Sequence, residues 1–162
     1  MSHKVDGHAI LELLAQNETE VARVYREVAD NAKIGDKFFE NLAEDEDYHH
    51  GVYLKLAQQA KDEGGWVVEE DDYDYFRLRL QRSLLAKPED LYERATKLRD
   101  KMEVFELAER VERETVEIVR ELREIVPRFA PEELEKIERQ EKGHLKMITE
   151  RIRDNFLNPR GL

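Results

Sequence analysis

Glu18 is followed 28 residues later by Glu46 and, one helical turn on, by His49; Glu112 is followed 29 residues later by Glu141 and then by His144. The same half-pattern is written twice. Residues at i and i+3 share one helix face, so each Glu-x-x-His pair can offer an oxygen and a nitrogen to one point in space. Four helices that each turn a carboxylate inward, two of them adding an imidazole, are what a bundle needs to hold two cations in its core.

The apolar spacing supplies four helices to carry that set. Ile10, Leu14, Val21, Tyr25 and Val28 recur every three to four residues and predict a first helix from about Asp6 to about Asn31, with Glu18 in its stripe. After a Gly35-Asp36 turn, with Asp36 as N-cap, Phe39, Leu42, Tyr53, Leu56 and Ala60 predict a second helix ending near Gly64-Gly65. A third opens at Asp100, with Glu103 completing a capping box, and carries Phe105, Ala108, Val116, Val119 and Leu122 before Pro127 stops it. Pro131 suits the first turn of a fourth, whose stripe of Leu134, Ile137, Leu145, Ile148 and Ile152 fades at Asn158-Pro159.

At 1.5 Å of rise per residue, the paired carboxylates of each hairpin fall level within one turn. Bringing the two hairpins together then requires the chain to return along the bundle, and residues 63–100 are long enough for such a crossover. The segment contains turn glycines, the acidic run Glu69 to Asp72, the aromatic residues Tyr73, Tyr75 and Phe76, and a short helix expected after Pro88. The fold class expected is an all-α four-helix bundle, and 162 residues suit a single domain spanning 1–162.

Charge and composition exclude several functions. A net charge of −11 without a cluster of Lys or Arg on one face argues against nucleic acid or an anionic membrane as partner. The absence of cysteine removes disulfides, Cys-ligated zinc and iron–sulfur centres, so electrons must arrive from another molecule. No stretch approaches the roughly 18 apolar residues of a membrane span, and the polar start predicts cytoplasmic residence.

The chemistry follows from the donor set. Glu18 and Glu112 can each serve one ion, while Glu46 and Glu141 can bridge two. Mixed carboxylate and imidazole ligation suits iron(II), with manganese close behind and zinc a further option. An unpaired carboxylate in an apolar interior costs several kcal/mol, and four together repel one another or take up protons unless cations neutralise them. Tyr25, seven residues after Glu18, lies on the same face and can supply a proton or an electron; the matching position in the second half is Val119, which predicts two inequivalent metal positions.

These residues resemble the ferritin-like di-iron carboxylate superfamily, and most closely its rubrerythrin-type branch. The stretches that carry the resemblance are Gln16-Asn17-Glu18 through Tyr25, Leu42-Ala43-Glu44-Asp45-Glu46 through His49, Leu107-Ala108 through Glu112, and Glu141-Lys142-Gly143-His144-Leu145. The resemblance implies Glu18, Glu46, His49, Glu112, Glu141 and His144 as ligands to two iron ions, and a ferritin-like bundle. It departs from that branch in two ways: there is no rubredoxin domain, and Thr115 stands where the branch has a further glutamate. The symmetric ligand set is similar to that of bacterioferritin.

The function expected is therefore a rubrerythrin-like oxidoreductase reducing hydrogen peroxide or dioxygen, with Tyr25 as proton or electron source and an external electron donor such as rubredoxin. The alternative is a ferritin-like iron-binding or storage protein with ferroxidase activity. A homodimer is the expected assembly, whereas the storage alternative predicts a high-order assembly or many irons per chain. Among the remaining candidates, His3, His8 and His50 are read as solvent or interface residues, Glu20, Glu44, Glu109 and Glu114 as salt-bridge or solvated residues, and Gly143 as a point of close helix approach.

Overall fold

The computed structural model describes residues 1–32, 34 and 36–157. Its elements in chain order are β1 (Ser2–Val5), α1 (Gly7–Asn31), α2 (Phe38–Asp62), β2 (Trp66–Glu69), α3 (Glu70–Arg82), a 3-10 turn (Leu84–Ala86), α4 (Pro88–Thr96), α5 (Lys101–Ile125) and α6 (Pro131–Leu157). The long helices α1, α2, α5 and α6 form the all-α, ferritin-like bundle expected from the sequence. Gly35 of the expected turn and the tail from Asn158 to Leu162 lie outside the described residues. No helix among the described residues is long and apolar enough to cross a membrane.

Local chemistry marks several helix starts. The Asp6 carboxylate accepts from Ala9 N at the start of α1, and Asp100 accepts from both Met102 N and Glu103 N at the start of α5, so each satisfies amides that lack a partner within the helix. Asp36 accepts from Phe38 N at 3.0 Å, one residue ahead of the Lys37 cap position. Pro131 occupies the first turn of α6, where a missing N–H costs nothing.

The α1–α2 hairpin is antiparallel, with His8 bonded to Ala57 O at one end and Arg26 to Asp47 towards the other. One end of the bundle is closed by aromatic rings: Phe105 of α5 packs 5.3 Å from Phe39 and 5.9 Å from Phe38. At the opposite end Trp66 packs 4.9 Å from Phe129. The chain leaves α2 beside Trp66 and enters α5 beside the phenylalanines. Between them Arg79 of α3 pairs with Glu117 and Glu121 of α5, Leu84 N donates to Glu114, and Tyr92 of α4 receives the Arg23 guanidinium of α1 on its ring face, 3.5 Å from its centre.

Two elements differ from the sequence expectation. Most of the acidic run is the first turn of α3, a helix the sequence reading did not place: Glu70, Asp71 and Asp72 lie at its positive N-terminal end, where acids are favoured. The N-terminal residues form β1, which pairs antiparallel with β2 from Ser2↔Glu69 to Val5↔Trp66. Gly64 and Gly65, at φ of 82° and 95°, make the turn that lets the chain leave α2 and enter this ribbon. His3 accordingly packs edge-on against Tyr73 instead of standing in solvent, with ring centres 5.3 Å apart.

Candidate metal centre

The six residues singled out from spacing all come from the middle of the four long helices, and all are buried. Each sits among apolar residues of its own stripe, so the packing that buries Val21, Leu42, Val111 and Ile137 also carries the acids inward. Their ligand atoms form two overlapping groups, Glu18, Glu46, His49, Glu141 and Glu46, Glu112, Glu141, His144, and within each group the atoms lie within 4.8 Å of one another. Glu46 and Glu141 belong to both.

Each imidazole turns Nδ1 toward this centre. His49 Nδ1 is 2.9 Å from Glu141 Oε1 and 3.3 Å from Glu46 Oε2; His144 Nδ1 is 3.1 Å from Glu46 Oε1 and 3.1 Å from Glu141 Oε2. The outward nitrogens are held as well. His49 Nε2 lies 2.8 Å from Gln140 Oε1, and His144 Nε2 lies 3.0 Å from Asp45 Oδ2. A donor on Nε2 leaves the Nδ1 lone pair free to ligate.

Burial and crowding set the electrostatics of the cluster's own side chains. Burial, and then the charges of Glu46 and Glu141, push the Glu18 carboxyl well above the usual carboxylate range. Burial and the Glu141 charge raise Glu112 to about 7, with His144 pulling the other way. Burial opposes the charging of His49, but the close carboxylates of Glu141 and Glu46 outweigh it and carry the imidazole to about 10. His144 likewise rises, against burial, because it faces Glu112, Glu141 and Glu46.

The site fits a pair of divalent cations. Glu46 Oε1 and Glu141 Oε1 are buried without a hydrogen-bond partner, although an imidazole nitrogen lies 3.1 and 2.9 Å away. Glu46 bonds His49 and Glu141 bonds His144 through Oε2, and each leaves its Oε1 in the cluster, as a ligand of a common point would be. Four carboxylates would also balance the charge of two divalent ions, removing the repulsion that otherwise makes them hold protons.

Tyr25 is fully packed against Phe39 and its hydroxyl donates to Glu112 Oε1. It thus serves the carboxylate of the other hairpin, not Glu18 on its own helix. Beside Glu18 is a cavity of about 10 Å³, room for about one water, bordered by Asn17, Tyr53 and Thr115. Asn17 Oδ1 and the Tyr53 hydroxyl are both buried without partners.

The other expectations resolve individually. Glu109 pairs with Arg113, Glu114 with Arg110 and Glu20 with Arg23, and none of them joins the cluster. His50 is partly buried: its Nδ1 lies 2.8 Å from Ala15 O and 2.9 Å from Thr19 Oγ1, between α1 and α2. His8 binds Ala57 O and Glu12. Gly143 has no neighbour against which a Cβ would press, so close helix approach does not explain it. Sequence reasoning missed the roles of Asp45 and Gln140. Their signal was present, since each immediately precedes a clustered glutamate and stands four residues before a histidine.

The family model described as Rubrerythrin matches residues 9–152. No curated protein and no solved structure gives a significant match.

Proposed function

The chain belongs to the rubrerythrin family, and from that premise we propose that it is a di-iron oxidoreductase reducing hydrogen peroxide or dioxygen by two electrons. The observation that carries this reading is the pair of four-residue groups sharing Glu46 and Glu141. Glu18 and His49 would hold one ion, Glu112 and His144 the other, and the shared glutamates both. Two bound iron ions would supply the two electrons and polarise the O–O bond; manganese or zinc would fit the same donors but favour other chemistry.

The chain's own residues prepare that chemistry. Bulk water is kept out by the apolar stripes around the cluster, which strengthens every charge interaction inside. Tyr25 holds its proton at Glu112 Oε1, where a reduced oxygen product needs one; burial, and then the Glu112 charge, raise the phenol well above its ordinary value, so the proton is retained until it is called for. The cavity beside Glu18, with room for about one water, lies next to the ion that Glu18 and His49 would hold. Two electrons and two protons take peroxide to two waters, so an external donor such as a rubredoxin must return the electrons for each cycle. The active species is proposed to be a cytoplasmic homodimer.

A ferroxidase reading, in which iron(II) is both cargo and reductant, is favoured by one observation. Thr115 is buried and spends its hydroxyl on Val111 O, so α5 offers no further carboxylate there to exchange during turnover.

Anaerobic loading with iron(II), followed by rapid mixing with peroxide or with dioxygen, tests the proposal. The oxidoreductase predicts about two irons per chain and ferric absorbance with either or both oxidants. Absence of ferric absorbance with both would sink it, and uptake of many irons per chain would move the function to storage.

A further inference from the structure

The outward nitrogens of the two imidazoles are held by chemically different groups, in a reciprocal arrangement. Asp45, on α2, holds His144 of α6 at 3.0 Å, and Gln140, on α6, holds His49 of α2 at 2.8 Å. Each positioning residue stands four places before the histidine of its own helix and supports the histidine of the other. The geometry is the same twice; the charge is not.

Both groups accept from Nε2–H and therefore fix the same tautomer, with Nδ1 left to ligate. Only Asp45 adds a negative charge behind the ring, and a carboxylate partner makes an imidazole a stronger donor to a cation than an amide partner does. Charged acceptors also form the stronger hydrogen bond. One opposing effect falls on the same position: the Tyr25 hydroxyl draws charge from Glu112, which shares a group with His144. It is a neutral donor acting against a full charge, so the carboxylate prevails. The Asp45 side chain is 60% exposed, and solvent screening places its effect at the low end of the range for such partners.

We propose that Asp45 and Gln140 make the two metal positions unequal, so that the position served by Glu112 and His144 binds a divalent cation about tenfold more tightly than the position served by Glu18 and His49. This rests on the di-metal reading above and adds to it which position fills first and which is the labile one. The cavity lies beside Glu18, on the weaker side.

The test is an anaerobic titration of the full metal-free chain with cobalt(II), followed by calorimetry and by the visible bands of the bound ion, with no turnover involved. Repulsion between two bound cations also separates the steps, so the reading is the change in the ratio of the two affinities on substitution. Asp45→Asn is expected to weaken the tighter step about tenfold and narrow the ratio; Gln140→Glu is expected to strengthen the weaker step by a similar factor, also narrowing it. A merely structural role would weaken both steps alike in either variant. A ratio unchanged by both substitutions, with two ions still bound, overturns the inference while leaving the di-metal reading intact, whereas failure of the unsubstituted chain to bind two ions overturns both.

Discussion

The hydroxyl of Tyr25, on α1, donates to Glu112 Oε1, on α5, across 2.5 Å. A single neutral donor thus ties the two hairpins together at the carboxylate cluster. Among the described residues, it is the one hydrogen bond to a clustered acid that comes from a side chain that is not itself a candidate ligand.

Tyr25→Phe keeps the ring packed on Phe39 and removes that proton. The variant is expected to bind two metal ions and to oxidise them about 10²-fold more slowly, the scale of a lost general acid. Its metal-free form should lose about 1–3 kcal/mol of stability, because Glu112 Oε1 is left without its donor. Stopped-flow absorbance and denaturant unfolding measure the two effects; an unchanged oxidation rate rules Tyr25 out as proton source.

The metal-free chain should become less stable as pH rises. Glu112 is raised from 4.5 to about 7 and His49 from 6.5 to about 10, so in these windows the folded chain retains protons that the unfolded chain has released. Stability from each group is complete below its ordinary value and is lost as pH climbs through the raised one. Asp36 and Glu138 are shifted downward and act only at lower pH. Thermal melting between pH 5 and pH 9 should show the midpoint falling, while the rise in midpoint on adding manganese(II) should grow, since ligands must lose protons to bind it. A metal-free midpoint that climbs across this range contradicts the assignment.

Removing a shared carboxylate should differ from removing an unshared one. Glu46 belongs to both four-residue groups and Glu18 to one. Glu46→Gln is expected to abolish binding of both ions, and Glu18→Gln to leave one per chain by elemental analysis. In the metal-free state Glu18→Gln should raise the melting midpoint, because a buried carboxyl crowded by Glu46 and Glu141 is replaced by a neutral group. Equal metal loss in the two variants would show that the sharing is wrong.

The β1–β2 ribbon makes a prediction away from the carboxylate cluster. A methyl group at Gly7 would overlap the Trp66 indole, so Gly7→Ala must displace the ring from its place against Phe129. The expected cost is about 1–3 kcal/mol, as for other overpacked cores. Tryptophan emission should shift to the red while metal stoichiometry stays at that of the unsubstituted chain; a variant of unchanged emission and stability would mean that the ribbon is loosely held.

Much of the metal centre is readable from spacing because a helix converts sequence interval into direction. Glu46 with His49 and Glu141 with His144 must share a face whatever surrounds them, and the neighbouring leucines and valines say which way that face points. Asp100 and Pro131 mark helix starts for equally local reasons. The helix α3 was hidden because its first turn reads as a charge run, and β1 because four polar-to-apolar residues carry no strand signal until β2 is laid beside them.

Sequence periodicity by itself determined the four long helices, the inward row of acids and histidines on them, and the doubled pattern of a carboxylate followed by Glu-x-x-His. Only the tertiary structure decided that Tyr25 meets Glu112 rather than Glu18, that Asp45 supports His144 and Gln140 supports His49, and that Ser2–Val5 pairs with Trp66–Glu69. The reason is range. Contacts within a turn are fixed by backbone geometry and can be counted along the chain, whereas contacts between elements depend on how the helices rotate and pack around their shared core, which no interval in the sequence records.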